Sequence, residues 1–564
     1  MTVSKSNIPA VLTGLGAAAL VMSACATPVS VRTVVVTAPP GVAPGAAPGK
    51  QVLRWALEGI NEPSTLDPAK ASDAPVVFAT GLIFRGLVQL DAQLRVIPDG
   101  AASWTVSDDT KTYTFKLRDN LKFSDGSLVT ADDVAFSISR TLDPKTGGGS
   151  SGNGAYYLTN ILGADDLAGG KASTLQGVKA LDPKTLEIKL KNPSAYFLYQ
   201  LNFITGYILS KKNVTSGDKW YEKPVGTGPF VLSEWQHNQK LVLTPNPNYW
   251  PGAPNQFKSV ELVFYGGDQG STTAFNDYQT GQVDVIGSFG QNPIPSQFVP
   301  QVKDQPDFHS APQFVVRYVA FNNKRAPFDN AQVRQAFAKA VDRSKIVQLL
   351  GEASVRSQAR ILPGGIPGSE LPVQALDFDA AGAKKLLGDA KFDPATKVVI
   401  SYGTEGDNAK VLELLKQQWQ DNLGVDVTLE PLELQTFSQK LTDTYNDPTK
   451  GLQAYYSVWG ADYPDPQNWI SQQLRTGVGN NNGAYSNADF DKLVDAADVE
   501  IKDQAKRLQG YNKAEQLAIN EVGWLPLFSP NTSSMIKPYV TGLVFTGQGV
   551  VIPDWSAVRS IERS

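Results

Sequence analysis

Two strand-like segments separated by one amphipathic helix lie between residues 397 and 430. Residues 397–402 and 425–430 have the apolar pattern of strands. Between them, behind a helix-capping Asn408, apolar residues recur at helical spacing, namely Leu412, Leu415, Trp419 and Leu423. A strand, a helix and a strand in this order form a right-handed unit with a parallel strand pair. This unit restricts the chain to folds that contain parallel sheet.

Strands and helices alternate along the rest of the chain. Residues 52–57 have a strand pattern, and residues 112–117 alternate between apolar and polar side chains. Thr130 precedes Asp133 by three residues and opens an apolar helix, as in a capping box. Asn330 caps a further predicted helix. We therefore predict an α/β protein built from more than one lobe.

Charge and composition exclude several classes of function. The 564 residues contain 51 Lys and Arg against 55 Asp and Glu, a net charge of −4. Nucleic-acid binding needs a basic excess, so no nucleic-acid partner is expected. Cys25 is the single cysteine and His237 and His309 are the only histidines, which excludes disulfides and thiolate clusters and argues against a His-rich metal site. We predict no metal and no cofactor.

The N-terminus has the pattern of an export signal. Lys5 precedes an apolar stretch at residues 8–22 that is short for a membrane span. Small residues directly before Cys25 resemble a lipobox, the signal for lipid attachment to that cysteine. We predict a lipoprotein signal peptide at residues 1–24 and a lipid on Cys25 that anchors the exported chain to the outer face of the cell membrane, or to the periplasmic side in a two-membrane bacterium. A plain signal peptide or an uncleaved anchor are the alternatives.

Residues 25–50 follow as a predicted tether. After Cys25 they are rich in Pro, Ala and Gly, a composition that cannot bury a core. Twenty-five such residues in a semi-extended chain reach at most ~75 Å. Stable anchoring of this kind needs two or more acyl chains, since a single chain binds a membrane only reversibly.

A series of motifs occurs along the chain in the same order as in one known protein family. They are residues 66–68 (LDP), 101–104 (AASW), 113–118 (YTFKLR), 122–126 (KFSDG), 130–134 (TADDV), 225–230 (VGTGPF), 246–250 (NPNYW), 278–284 (YQTGQVD), 327–343, 459–466 (WGADYPDP) and 524–527 (WLPL). The chain resembles, over about residues 52–559, the bacterial extracellular solute-binding proteins of family 5. These are the oligopeptide- and dipeptide-binding proteins of ABC transporters.

The resemblance implies a two-lobed fold of the periplasmic-binding-protein type II kind. Lobe I would comprise residues 51–313 and 527–564, with an extra subdomain at about 89–221, and lobe II residues 314–526. The two connections between the lobes would lie near residues 314–323 and 524–530. The implied function is capture of a peptide by hinge closure and delivery to the permease subunits of an ABC importer, by a monomer.

The resemblance also implies the ligand contacts. Extended segments on both sides of the cleft would pair with the peptide main chain, one at Ser72, Asp73 and Ala74 and the other at Trp459, Gly460 and Ala461. Asp462 matches the aspartate that pairs with the α-ammonium group in oligopeptide-binding members. A purely structural alternative is that Asp462 caps a turn before Pro464.

The sequence leaves alternatives for the roles of several other residues near the predicted site. Trp459 forms either a pocket wall or part of a core. Asp465 is expected in the Pro464–Pro466 turn, and Arg317 and Arg334 are expected in structural or solvated roles, with binding of a ligand carboxylate as the alternative. Where some relatives have an arginine before the tryptophan, this chain has Ala454-Tyr455-Tyr456. The partner of the ligand carboxylate is therefore unidentified.

Three other functions compete with peptide transport. The same fold could bind a metal chelate or an oligosaccharide, the latter by stacking on Trp459, Tyr463 and Trp469. An exported hydrolase would need a nucleophile and a base. The sequence has no H-E-x-x-H motif, and its G-x-S-x-G match at residues 148–152 (GGSSG) falls in a Gly/Ser-rich run, without the strand–turn–helix pattern that a nucleophile elbow requires. We therefore expect no enzymatic activity. A signalling receptor with the same fold is the third alternative.

Overall fold

The computed structural model describes residues 34–37, 51–71, 73–146, 148–149, 152–254, 256–287, 294–295, 297–547, 549–551 and 554–561. The predicted signal peptide, Cys25 and most of the predicted tether lie outside these ranges. Within them, no helix combines the length and the apolar character that a membrane crossing requires.

The strands of the described residues are, in chain order, β1 (Val34–Val35), β2 (Val52–Glu58), β3 (Val88–Leu90), β4 (Val96–Pro98), β5 (Ala101–Val106), β6 (Thr112–Leu117), β7 (Val178–Asp182), β8 (Thr185–Lys189), β9 (Phe230–Gln236), β10 (Lys240–Pro245), β11 (Ser259–Tyr265), β12 (Val285–Ile286), β13 (Phe308–Pro312), β14 (Val315–Phe321), β15 (Val355–Ser357), β16 (Val398–Gly403), β17 (Val427–Leu432), β18 (Ala454–Gly460), β19 (Leu525–Ile536), β20 (Val540–Thr541), β21 (Val544–Thr546), β22 (Gly549–Val551) and β23 (Arg559–Ser560).

The helices of the same ranges are α1 (Ala74–Ile83), α2 (Ala131–Leu142), α3 (Asn153–Tyr157), α4 (Ala164–Ala168), α5 (Phe197–Leu201), α6 (Lys211–Val214), α7 (Gly270–Gln279), α8 (Val299–Val302), α9 (Ala331–Lys339), α10 (Arg343–Leu350), α11 (Ala380–Asp389), α12 (Asn408–Leu423), α13 (Leu434–Asn446), α14 (Ser471–Leu474), α15 (Ala488–Val499) and α16 (Gln504–Glu521). Short 3-10 turns are formed by Ile204–Gly206, Trp220–Glu222 and Pro466–Asn468.

One large mixed sheet runs through the molecule and is organised around β19. Its strand order is β17-β16-β18-β14-β19-β12-β2-β11-β10-β9, and β13 and β15 pair with β19 off this path. The first half of β19 pairs with β14 and β15, and its second half pairs with β13 and β12. The chain also passes from β13 to β14 at residues 312–315, beside the middle of β19. Both passages fall at the segments expected to connect the lobes, and the lobe boundaries themselves remain a prediction.

The predicted strand–helix–strand unit is present as β16, α12 and β17. The two strands pair in parallel, with Val398 opposite Val427. The predicted cap is wrong by one position, because Asp407 precedes the helix and Asn408 is its first residue. Asn408 is buried and its Nδ2 donates to the carbonyl oxygen of Gly403 at 2.9 Å. This contact holds the start of the helix against the end of β16.

A separate four-stranded antiparallel sheet, in the order β5-β6-β8-β7, lies within the range predicted for the subdomain. Helix α2 packs on it through Val134 and Ile138, which belong to the same core. The predicted capping box is confirmed, since the side chain of Thr130 accepts from the backbone N–H of Asp133 and the Asp133 carboxylate accepts from that of Thr130. Strand β6 has the bounds that its alternating pattern predicts.

Part of the predicted tether is docked on the body. Val34 and Val35 pair with Phe545 and Val544, and the N–H of Val36 donates to Leu543 at 2.9 Å. Val36 is 6% exposed and belongs to the core around Trp55. The reason is the run of three β-branched valines, which favours a strand despite the Pro-rich surroundings.

Two arginine–aspartate pairs are fully enclosed. Arg507 donates to both carboxylate oxygens of Asp465, at 2.6 and 2.8 Å, and both side chains are 1% exposed. Arg140 contacts Asp67 of the LDP motif in the same bidentate way, at 2.6 and 2.8 Å. Asp465 also accepts from the N–H of Gln467 at the start of the Pro466–Asn468 turn, so its predicted role in that turn is confirmed.

Replacing Asp465 with Asn leaves the Arg507 charge buried without its bidentate partner. Loss of one member of a buried ion pair costs about 3–5 kcal/mol, so we expect a loss of this size in urea-induced unfolding followed by circular dichroism. Asp389→Asn, which removes an exposed pair with Lys385, is the control and should change stability little. A loss below about 1 kcal/mol for Asp465→Asn would contradict this role and point to Asp498 as the counter-charge, because Asp498 also acts on Arg507.

Candidate functional site

The chain topology creates a crevice between the ends of β16 and β18. After β16 the chain passes through α12 to β17 on one side, and it returns through α13 to β18 on the other side of β16. Helices α12 and α13 cover opposite faces of the sheet, because Trp419 belongs to one core and Phe437 to another. In open α/β sheets such a reversal leaves a binding crevice beyond the carboxyl ends of the strands. The candidate site therefore lies where β16 and β18 end.

The predicted segment of Trp459, Gly460 and Ala461 forms the end of β18. Trp459 and Gly460 pair with Val316 and Val315 of β14. The N–H of Ala461 donates to the carbonyl oxygen of Phe314 at 2.9 Å, at the passage between the two halves of the large sheet. The Trp459 side chain is partly buried, and its indole N–H is enclosed without an acceptor in the described part of the chain.

Asp462 lies directly beyond this strand, among neutral hydrogen-bond donors. Its carboxylate accepts from the hydroxyls of Tyr156 and Tyr157, each at 3.1 Å, and from Nδ2 of Asn468 at 3.0 Å. The backbone N–H of Asp462 donates to Oδ1 of Asn468 at 3.0 Å. Asp462 therefore connects the end of β18 to helix α3 and does not simply cap a turn before Pro464.

Burial sets the electrostatics of this carboxyl group. It raises the pKa of Asp462, against the opposing effect of the hydrogen bonds from Asn468, Tyr157 and Tyr156. Burial and the nearby Asp462 charge raise the pKa of both tyrosine hydroxyls, which therefore stay protonated and donate. No arginine, lysine or histidine forms an ion pair with Asp462 among the described residues.

Tyr156 and Tyr157 were not predicted from the sequence. They lie on α3, directly after the Gly/Ser-rich run of residues 147–154. Tyr156 is 41% exposed, and its hydroxyl also accepts from Gln472. Two adjacent aromatic residues behind a Gly-rich loop were the available signal, but nothing local indicates an aspartate 305 residues away.

The second predicted segment differs from the expected extended conformation. Ser72 lies outside the described residues. Asp73 is extended and precedes α1, and its exposed side chain makes no capping hydrogen bond. Ala74 is the first residue of α1, followed by Pro75, which fits the first turn of a helix. Ala74 is therefore helical, and a ligand contact at Ser72, Asp73 or Ala74 remains a prediction.

The other candidate residues have defined contacts. Arg334 is buried and donates to the carbonyl oxygens of Glu521 and Phe328, which is a structural role. Arg317 contacts Asn408 at 3.2 Å. No group of three or more His, Cys, Asp or Glu in the described ranges is placed to hold a metal ion.

The two histidines lie elsewhere. His237 Nδ1 is 2.5 Å from Glu62 Oε1, and its ring stacks on Trp235. His309 is in β13, opposite Ser534 of β19, and burial lowers its pKa. Neither imidazole contacts Asp462 or the end of β18.

Comparisons with known proteins match this architecture. The similar proteins include the oligopeptide-binding protein OppA of Bacillus subtilis, 29% identical over 89% of this chain and 92% of OppA. The probable deoxycholate-binding periplasmic protein YgiS of Escherichia coli is 30% identical over 87% of this chain and 90% of YgiS. Among solved structures, the unliganded open form of the murein tripeptide-binding protein MppA superimposes with a TM-score of 0.77, at 28% identity, over 92% of this chain and 98% of MppA.

A family model described as "Bacterial extracellular solute-binding proteins, family 5 Middle" matches residues 95–481, more than half of the chain. The resemblance drawn from the motifs and the predicted α/β class are thus confirmed. The chain belongs to the family 5 extracellular solute-binding proteins.

Proposed function

We propose that this chain is the substrate-binding lipoprotein of an ABC importer and that it carries peptides to the permease subunits. The observation that carries the proposal is Asp462, a partly buried carboxylate whose partners among the described residues are all neutral. Burying a charge without a counter-charge costs free energy, so binding of a cation at this carboxylate is favourable. The α-ammonium group of a peptide supplies the missing positive charge.

Main-chain pairing supplies the rest of the affinity in this proposal. The end of β18 offers an extended segment next to Asp462, and pairing with such a segment does not depend on the ligand's side chains. Bridging waters allow varied side chains to be accommodated. The segment of Ser72, Asp73 and Ala74 faces the ligand from the other lobe in this proposal, and the Asp73 side chain is exposed.

Hinge closure encloses the ligand in the proposed mechanism. The two passages at residues 312–315 and along β19 are the candidate hinge, because they join the two halves of the large sheet. The similarity to an open, unliganded structure supports an open state with the cleft accessible. Closure then desolvates the pair formed by Asp462 and the ligand, which strengthens their attraction.

Other solutes are less well supported by the site. Tyr463 and Trp469 are 3% and 0% exposed, so neither can stack on a sugar ring, and only Trp459 remains available. Neither histidine contacts the site, which disfavours a metal chelate. YgiS shows that a relative of comparable identity is named for a bile acid, but an anionic ligand is repelled by the Asp462 carboxylate.

The ligand class is tested on protein purified from its native host. Mild denaturation should release peptides, detected by mass spectrometry, because the enclosed site retains ligand during purification. Material from a binding-deficient Asp462→Asn variant is the control. Recovery of sugars or steroids alone, with no peptide, would overturn the peptide proposal.

Replacing Asp462 with Asn removes the charge while keeping an acceptor for Tyr156 and Tyr157. We expect peptide affinity in calorimetry to fall at least tenfold, since a charge pair in a desolvated site is lost. Asp489→Asn, on the exposed start of α15, is the matched control. Unchanged affinity in Asp462→Asn would remove Asp462 from the ligand site.

The raised pKa of Asp462 provides a second readout of the same variant. Acidification protonates this group before an ordinary aspartate, and the neutral acid attracts the ammonium group less. Peptide affinity of the wild type should therefore fall as the pH is lowered, and the Asp462→Asn variant should show a weaker dependence.

Membrane attachment through a lipid on Cys25 completes the proposal. Because Val34 and Val35 pair with β21, eight residues separate Cys25 from the body. Eight extended residues span at most about 29 Å, so the body would be held close to the membrane. The docking thus reduces the reach predicted for a free tether.

Replacing Cys25 with Ala should move the chain from the membrane fraction to the soluble fraction and abolish its labelling by a fatty-acid analogue, because the acceptor thiol is lost. Ser23→Ala keeps a small residue before the cysteine and should remain anchored. Membrane retention of Cys25→Ala would contradict lipid anchoring at this residue.

A further inference from the structure

Arg317 lies between the two elements that form the crevice. It is in β14, where its strand partner is Val458 of β18. Its guanidinium group donates to Oδ1 of Asn408, the first residue of α12, at 3.2 Å. Arg317 is thus beside the end of β18 and also beside the helix that follows β16.

The sheet is open to solvent at this register. Val458 is 40% exposed although it lies in the interior of a strand whose earlier residues are buried. Partners across a strand pair have their side chains on the same face. Arg317 is therefore next to an accessible apolar surface at the mouth of the crevice.

Among the described residues, the Arg317 charge has no acidic partner. No carboxylate is within ion-pairing distance of its guanidinium group in the part of the chain that the structure describes. The adjacent carboxylate of Asp407 is paired with Lys410 at 2.7 Å. A half-buried arginine of this kind differs from Arg507 and Arg140, whose charges are neutralised by two-point contacts.

The hydrogen-bonding capacity of Arg317 is only partly used. Besides Asn408, it hydrogen-bonds the hydroxyl of Tyr456, where burial raises the tyrosine pKa to about 12 against the opposing effect of Arg317. A guanidinium group has five N–H donors, so these two contacts leave others available. Two parallel N–H donors match the two oxygens of a carboxylate.

We propose that Arg317 binds the C-terminal carboxylate of the peptide ligand. This rests on the proposed function and supplies the partner that the sequence left unidentified. Arg317 lies beside the end of β18, and Asp462 follows directly beyond that end. A short peptide with both ends free supplies the counter-charge for each of these two opposite charges.

Alanine peptides of two to six residues, each with a free or an amidated C-terminus, test the inference by calorimetry. For the wild type, amidation should weaken the best-binding peptide at least tenfold. In Arg317→Gln, which keeps a donor for Asn408, affinity for the free acid should fall at least tenfold while affinity for the amide stays nearly unchanged. Arg356→Gln, an exposed arginine of β15, is the matched control and should behave as the wild type.

The outcomes separate the inference from the proposed function. An equal loss for acid and amide in Arg317→Gln would mean that Arg317 only holds Asn408 and Tyr456 in place, and it would overturn the inference. If Arg317→Gln unfolds, Arg317→Lys keeps the charge and should keep the preference for the free acid. Loss of that preference in a folded Lys variant overturns the inference. If the wild type binds the free acid and the amide equally, the inference about Arg317 is overturned, but the proposed function is not. If the wild type binds none of the peptides, the proposed function itself is overturned.

Discussion

The shared strand β19 is the constraint on which the rest of the structure depends. One continuous ladder holds both halves of the large sheet, with β14 paired as far as Phe528 and β13 paired from Asn531 onward. Between them, Pro530 has no N–H to donate, and its carbonyl oxygen accepts from Gln313 at 2.9 Å. The pairing of β14 with β19 thus ends, and that of β13 begins, at the stretch proposed as the hinge, which also pairs with β15. The ends of β14 and β18 lie beside this stretch.

Charge pairing is complete in the cores and incomplete at the crevice. Arg507–Asp465 and Arg140–Asp67 are enclosed pairs that satisfy each other, and they fix the structure around the site. Asp462 and Arg317 are the contrasting case, since their contacts among the described residues are neutral. Because a desolvated charge without a partner is unfavourable, two such charges of opposite sign beside one crevice favour a ligand that has both charges, such as a short peptide.

Local sequence patterns predicted the strands and helices, but they could not predict contacts between residues that are distant in sequence. The strand β6, the capping box of Thr130 and the parallel β16–β17 pair depend on residues close in sequence, so periodicity and capping rules were sufficient. The family motifs indicated Asp462, but Tyr156 and Tyr157 contact it from more than 300 residues away. Docking of Val36 on Leu543 and the helical state of Ala74 likewise depend on tertiary packing and a following proline, which outweighed composition.

Arg317 lies on one face of the large sheet, and Asp462 lies beyond the carboxyl end of β18. Tyr456 and Arg317 are on the face covered by α12, whereas Trp459 and Tyr455 are on the face covered by α13. In the proposed complex, a ligand that joins Arg317 to Asp462 passes the carboxyl end of β18, where Gly460 lies. A Cβ atom at that position would lie 3.3 Å from Val315 Cγ2, closer than most side-chain contacts. Because glycine has no side chain, this end of β18 stays free of the contact that a Cβ would make with Val315, and in the proposed complex the ligand main chain lies beside it.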